Sequence, residues 1–185
     1  MYFFQTDRMI GWKNRLLGRK RSKTALERMH TLFEKEKIDY RIIQHPETFT
    51  APELAHSIHA TGRRVAKAVV VRADGRYVMA VLPSNLLLNF KRFAHLLTAK
   101  HLSLATEPEL ETLFPDCETG SMPPLGNLYG MPVYLDLSLN QEPVLIFQAG
   151  NHHQVIEMRY RDFERLVKPR IGAIASAPIQ QASGY

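Results

Sequence analysis

A single cysteine, Cys117, in 185 residues excludes an internal disulfide and any cysteine-rich metal site, and it fits a reducing, cytosolic compartment. No apolar run approaches the ~20 residues of a membrane-spanning helix. Also missing are a G-x-G-x-x-G turn after a strand, a G-x-x-x-x-G-K-[ST] loop and a G-x-S-x-G elbow. The common nucleotide-binding and serine-hydrolase signatures are therefore absent. Acidic residues are scarce at one end of the chain. Residues 1–23 hold Arg8, Lys13, Arg15, Arg19, Lys20, Arg21 and Lys23 against Asp7 alone, so they account for the whole net charge of +6. The rest of the chain is neutral, and if it binds RNA it does so through a local patch rather than a global field.

What is present is enough for one core. With 45% hydrophobic residues, the length suits a single domain with loose ends. Residues 1–23 read as a basic, flexible extension, with a surface-seeking or RNA-touching arm as the other reading. Residues 169–185 are small and unpatterned and read as a disordered tail. The domain proper is expected over 24–168.

Thr24-Ala25-Leu26-Glu27 is a capping box opening a helix whose apolar stripe is Leu26, Met29, Leu32 and Phe33. A strand at Tyr40–His45 ends at Pro46, and Thr50-Ala51-Pro52-Glu53 caps a short helix carrying His56 and His59, which read as surface histidines. The run Val65–Arg72 is a β-branched strand that turns at Asp74-Gly75 and returns through Tyr77–Leu82. Asn89 caps a further helix, Leu102–Ala105 reads as a weak strand, and Thr106–Glu109 forms a third capping box. Strands follow at Met131–Asp136, Pro143–Ala149 and Gln154–Met158, then a helix over Tyr160–Val167. Hairpins with short helices between them predict an α+β (mixed α/β) fold, a single domain with a central mixed, largely antiparallel sheet.

Three features remain as candidates for a site, although each residue alone also has an ordinary structural explanation. Lys67 sits inside an apolar strand whose two faces both read as buried, and an ammonium there needs a partner or a polar pocket. Gly120-Ser121-Met122-Pro123-Pro124-Leu125-Gly126 is a rigid loop, because its prolines fix φ and its glycines permit close approach. His152 and His153 follow a turn at Gly150-Asn151, and either could face a site. Together they suit an anion-and-carbonyl site: a lysine for a phosphate or carboxylate, loop amides for an oxyanion or water, a histidine to orient the water. Cys117, just before the loop, reads as a buried or incidental thiol rather than an activated one.

This ordered set resembles the YbaK-type, prolyl-tRNA-synthetase-associated editing domain over residues 24–168. The resemblance implies an aminoacyl-tRNA deacylase, an ester hydrolase that clears mischarged tRNA in trans in the cytoplasm. It would act by positioning substrate and water, with no cofactor, metal or covalent nucleophile. Mischarged tRNA is the implied partner, with an aminoacyl-tRNA synthetase as a second, and no membrane span. On this resemblance Lys67, Gly120 and His152 are the catalytic positions, and Ser121, Met122, Pro124, Asp136 and Gly150 bind substrate. Asp136 is the candidate for contact with the substrate amino group. The chain departs from the family at Ala68, where some members carry Asn, and at the doubled proline. Those departures motivate the alternative of a non-catalytic binding module for aminoacyl-tRNA or nucleotide-like ligands.

Overall fold

Asp74 and Gly75 both adopt positive φ, 46° and 84°, which gives the tight turn that folds the central strands back on each other. The computed structural model describes residues 23–178, so the basic extension and the last residues of the chain lie outside the described part. Among the described residues five α-helices are formed: α1 (Ala25–Glu36), α2 (Ala51–Ser57), α3 (Phe90–Leu97), α4 (Glu107–Leu113) and α5 (Tyr160–Val167). Ten strands accompany them: β1 (Tyr40–Gln44), β2 (Ala66–Ala73), β3 (Arg76–Pro83), β4 (Leu87–Leu88), β5 (Leu102–Leu104), β6 (Val133–Asp136), β7 (Val144–Gln148), β8 (Gln154–Arg159), β9 (Arg170–Gly172) and β10 (Ala175–Ser176).

The fold is α+β with a mixed central sheet of order β5-β2-β3-β6-β9. β2 pairs antiparallel with β3 and β5, while β3–β6 and β6–β9 are parallel. A second, antiparallel sheet runs β1-β8-β7, and β4 with β10 makes a small ribbon. The capping boxes of α1 and α2 are formed, with Thr24 and Thr50 accepting from Glu27 and Glu53 N–H.

Period-two alternation sends β2 into two cores. Ala66 and Val70 join Met79, Val81, Leu135, Phe33 and Phe163 on the face covered by α1, α5 and the second sheet. Val71 joins Ala80, Leu82, Tyr134 and Phe93 on the face covered by α3 and the β4–β10 ribbon. Val65, just before β2, packs instead with Leu54, Ile146 and Val155 against α2. By alternation Lys67 shares the face of Val65, Val69 and Val71, and so lies in the interval between two apolar clusters. That interval resolves the conflict of a lysine in a core strand.

The C-terminal segment corrects the expectation of a tail from residue 169. Residues 170–176 supply β9 and β10, and Ile174 and Ala175 are buried. These strands are two or three residues long, too short to show a period in sequence. Besides their pairing with β6 and β4, they are held by the Asp136 carboxylate. Its Oδ2 accepts from Ile174 N–H at 2.9 Å and Ala175 N–H at 2.7 Å, and its Oδ1 accepts from Ser138 N–H. Asp136→Asn puts an amide donor against N–H groups, and about 2–4 kcal/mol of stability should be lost in denaturant unfolding. Amide exchange at Ile174 and Ala175 should quicken; unchanged protection there would contradict this anchoring.

Candidate active site

The loop after α4 is shaped by its own first turn. Ser121 donates both N–H and Oγ–H to the Glu118 carbonyl, at 3.0 and 2.7 Å, and Gly120 between them takes φ +88°. Ser121, Met122, Pro123, Pro124 and Leu125 are all buried, so the following stretch is wedged against the first core. The turn after β7 meets it with reciprocal bonds: Glu118 N–H to Gly150 O at 3.0 Å, and Gly150 N–H to Ser121 O at 3.1 Å. Gly150 also has positive φ, +87°, and a Cβ on it would stand 2.4 Å from the Ala25 Cβ. No other residue fits that contact with the start of α1.

His152 ties three loops together. Its Nδ1 lies 2.9 Å from Thr48 O and its Nε2 3.1 Å from Thr119 O, while its backbone N–H donates to Glu118 Oε2 at 2.8 Å. Carbonyl oxygens only accept, so a ring carrying both protons can donate to both. The ring is buried, and Gly120 is its neighbour: a Cβ there would sit 3.9 Å from His152 Cε1. His153 is turned outward beside Glu47, 3.8 Å away. Of the two histidines, His152 is the one at the loop.

Lys67 is half-buried, and its Nζ donates to Ser84 O at 3.2 Å. Burial lowers its pKa below the usual lysine value, because desolvation disfavours the ammonium. Ser84 is itself fixed by Gly62, whose carbonyl accepts from its N–H and its hydroxyl. Among the described residues no hydrogen bond joins Lys67 to the Gly120–His152 cluster. The link runs through β2: Met122 packs in the core that Ala66 and Val70 enter, on the face opposite Lys67. β5 pairs with β2 over Val71–Ala73, extended by a bond from Ala105 N–H to Val70 O, and β7 lies against the start of β2 through the parallel bridge between Val65 and Ile146. Between those points the outer edge of β2 has no paired strand among the described residues.

Gly120, Ser121, Gly150 and His152 are therefore brought together, with Met122 and Pro124 behind them. Asp136 stands apart, its carboxylate occupied by the C-terminal backbone. Sequence reasoning missed Glu118, whose carbonyl and carboxylate organise the loop, and Ser84. It also missed Phe49, which is 68% exposed and tilts against the His152 ring at 5.1 Å between centroids. An exposed aromatic after a strand-ending His-Pro was the available signal. Cys117 lies behind the loop against the Tyr129 hydroxyl, 3.3 Å away, and burial pushes its thiol up to about 11. Among the described residues no group of three or more His, Cys, Asp or Glu could hold a metal ion.

A two-sheet α+β domain whose loops after β1, α4 and β7 are pinned together by hydrogen bonds is the class these features define. Residues 45–166, well over half of the chain, match the profile of the aminoacyl-tRNA editing domain, and the chain belongs to that family. Over 99 residues, 52% of this chain, it is 28% identical to the proline–tRNA ligase of Geobacillus thermodenitrificans. It spans only 17% of that ligase. A solved structure of a protein proposed as a trans-editing enzyme for prolyl tRNA synthetase superposes with TM-score 0.74 at 19% identity, covering 84% of this chain and 99% of that one. A hypothetical protein of known structure gives 0.74 at 17% identity, covering 81% and 100%. At these identities the structural likeness is one of fold.

Gly150→Ala should cost about 3 kcal/mol or more, from strain at positive φ added to overpacking against Ala25. Chemical denaturation measures it, and a loss under 1 kcal/mol would show that the two loops are not in tight contact. Alkylation of Cys117 by iodoacetamide at pH 8 should run about a hundredfold slower than that of a free thiol, since little thiolate exists well below pH 11. The rate should climb steeply between pH 9 and 11; a rate like that of glutathione at pH 8 would sink this reading.

Proposed function

We propose that the protein is a stand-alone aminoacyl-tRNA deacylase that hydrolyses the ester of a mischarged tRNA in trans. The observation that carries the reading is a half-buried, desolvated lysine within a core strand of a chain of the editing family. The working unit is assigned to residues 24–178, since β9 and β10 complete its sheet and ribbon.

An aminoacyl ester is already activated, so orienting a water and stabilising the developing oxyanion suffice. Water adds to the acyl carbon, the tetrahedral intermediate collapses, and the ribose oxygen leaves with a proton. Lys67 is cast as the partner of a phosphate near the 3′ end. Its ammonium gains there the counter-charge that Ser84 O supplies only in part. The Gly120 N–H is the candidate oxyanion or water donor, since Ser121 N–H is spent on Glu118 O. His152 holds the three loops in register rather than taking the proton, because both ring nitrogens already face carbonyls. Ser121 Oγ is buried and bonded, and Cys117 is protonated at neutral pH, so neither serves as nucleophile. A synthetase that delivers the tRNA and a cytosolic location accord with this chemistry. Among the described residues no helix is long and apolar enough to cross a membrane.

The same satisfied groups favour a second reading, a module that binds aminoacyl-tRNA without turnover. A panel of mischarged tRNAs, including alanyl-, cysteinyl- and seryl-tRNA, separates the two. Wild type should hydrolyse at least one species, and Lys67→Met should lower kcat/KM by about 100-fold or more. Ligand-induced thermal stabilisation with no hydrolysis of any species would establish the binding module.

Lys67→Met should also match or exceed the wild type in thermal stability at pH 7. A lysine whose pKa is depressed on folding destabilises the fold wherever its ammonium persists, and that penalty fades as pH rises toward 10.5. The advantage of the variant should therefore shrink with rising pH. A variant less stable than wild type at pH 7 would show that Lys67 is held by favourable pairing instead.

A further inference from the structure

We infer that the outer face of α3 is the docking surface for the phosphate backbone of the RNA that carries the ester. The inference rests on the reading of the Lys67 edge as an aminoacyl-RNA site and extends it to the stem beyond the 3′ end.

From Gly75 to Thr106 the chain contains no Asp or Glu, yet it carries Arg76, Lys91, Arg92 and Lys100 with His95 and His101. The chain beyond residue 23 is neutral overall, so this stretch holds a local excess of positive charge. α3 lies in the middle of the acid-free stretch. Phe93 points into the second core, while Lys91, Arg92, His95 and Leu96 are exposed. Those four line, with Asn89 and Ile174, a groove of about 840 Å³. A groove lined by Lys91, Arg92 and His95 with no carboxylate in its lining favours a polyanion.

The position of this groove fits the site. Lys67 shares the sheet face that α3 covers, because Val69 and Val71 on that face pack with Phe93. Ser84, whose carbonyl receives the Lys67 ammonium, begins the segment that runs through β4 to the Asn89 cap of α3. Leu87 and Phe90 lie along that path with 50% and 38% of their surface exposed, flat apolar surfaces on which sugars and bases can rest. A strand whose end reaches Lys67 continues over α3 and meets its cations there. Arg92 is partly committed, since its Nη1 donates to Ala175 O at 3.0 Å. Lys91 and His95, one turn apart, have no such side-chain bond among the described residues and are the residues to change.

The test uses the full chain with Lys91→Glu/His95→Glu, with Lys91→Ala alone as a milder variant. Arg161→Glu is a charge control on α5, where the side chain is 73% exposed. Binding of an uncharged acceptor-stem hairpin ending in CCA is followed by fluorescence anisotropy between 50 and 200 mM salt. The double variant should bind at least about tenfold more weakly at low salt, with a salt slope reduced by about one to two. Lys91→Ala should lower the slope by about one, and Arg161→Glu should change neither quantity. On mischarged tRNA the double variant should raise KM at constant kcat, while hydrolysis of a 3′-O-aminoacyl-adenosine, which has no stem, stays as in wild type. Hairpin binding unchanged in the double variant, or weakened equally by Arg161→Glu, overturns the docking surface. Equal loss on the tRNA and the adenosine ester also overturns it, since the damage would then lie at the Lys67 site. If wild type binds the hairpin through α3 but hydrolyses neither substrate, the surface stands and the deacylase reading falls.

Discussion

The contact between Gly150 and Ala25 is the constraint on which the site depends. A helix start and a strand-end turn approach so closely that neither can carry more than it does, and the reciprocal hydrogen bonds from Glu118 and to Ser121 hang from that turn. The turn delivers His152, whose ring then fastens the loop after β1 to the loop after α4. Three segments far apart in sequence are thus held by one steric fit and a handful of bonds to backbone. Small changes at such a junction are transmitted whole, because packed interiors have little slack.

Much of the framework was legible in the chain itself. Thr24 with Glu27, and Thr50 with Glu53, announced α1 and α2 through side chains that satisfy neighbouring backbone donors. Asp74-Gly75 announced the β2–β3 turn because few other pairs accept positive φ twice. These are local signals, written within four residues. β9 and β10 were illegible because nothing local makes them: Asp136 calls Ile174 and Ala175 into place across some forty residues of sequence. The same carboxylate, read alone, looked like a ligand contact. A side chain at the end of a strand looks identical whether it awaits a substrate or holds a backbone.

The site divides along the same line. Lys67 stood out because a charge within an apolar run is a local contradiction, and the loop stood out because glycines bracket two consecutive prolines. The partners that give those residues their meaning, Ser84 for the lysine, Thr48, Thr119 and Glu118 for His152, are polar groups of common types with no pattern of their own. Nor could the sequence separate His152 from His153, since a one-residue shift at the entry to a strand reverses inside and outside. The structure decides it by burying one ring and exposing the other.

The unpaired stretch of β2 bears on how such a domain tolerates change. Ala105 N–H donates to Val70 O, so the even-numbered residues of β2 present their backbone groups toward the outer edge, and Ala68 is the next of them. Peptide donors and acceptors at an unpaired edge are offered whatever side chain the residue bears. Replacing Asn by Ala at this position removes a side-chain amide and leaves the main-chain pair in place. Backbone groups offered at an edge are blind to mutation at their own position, so this edge can keep the same donors and acceptors while the side chains around it diverge.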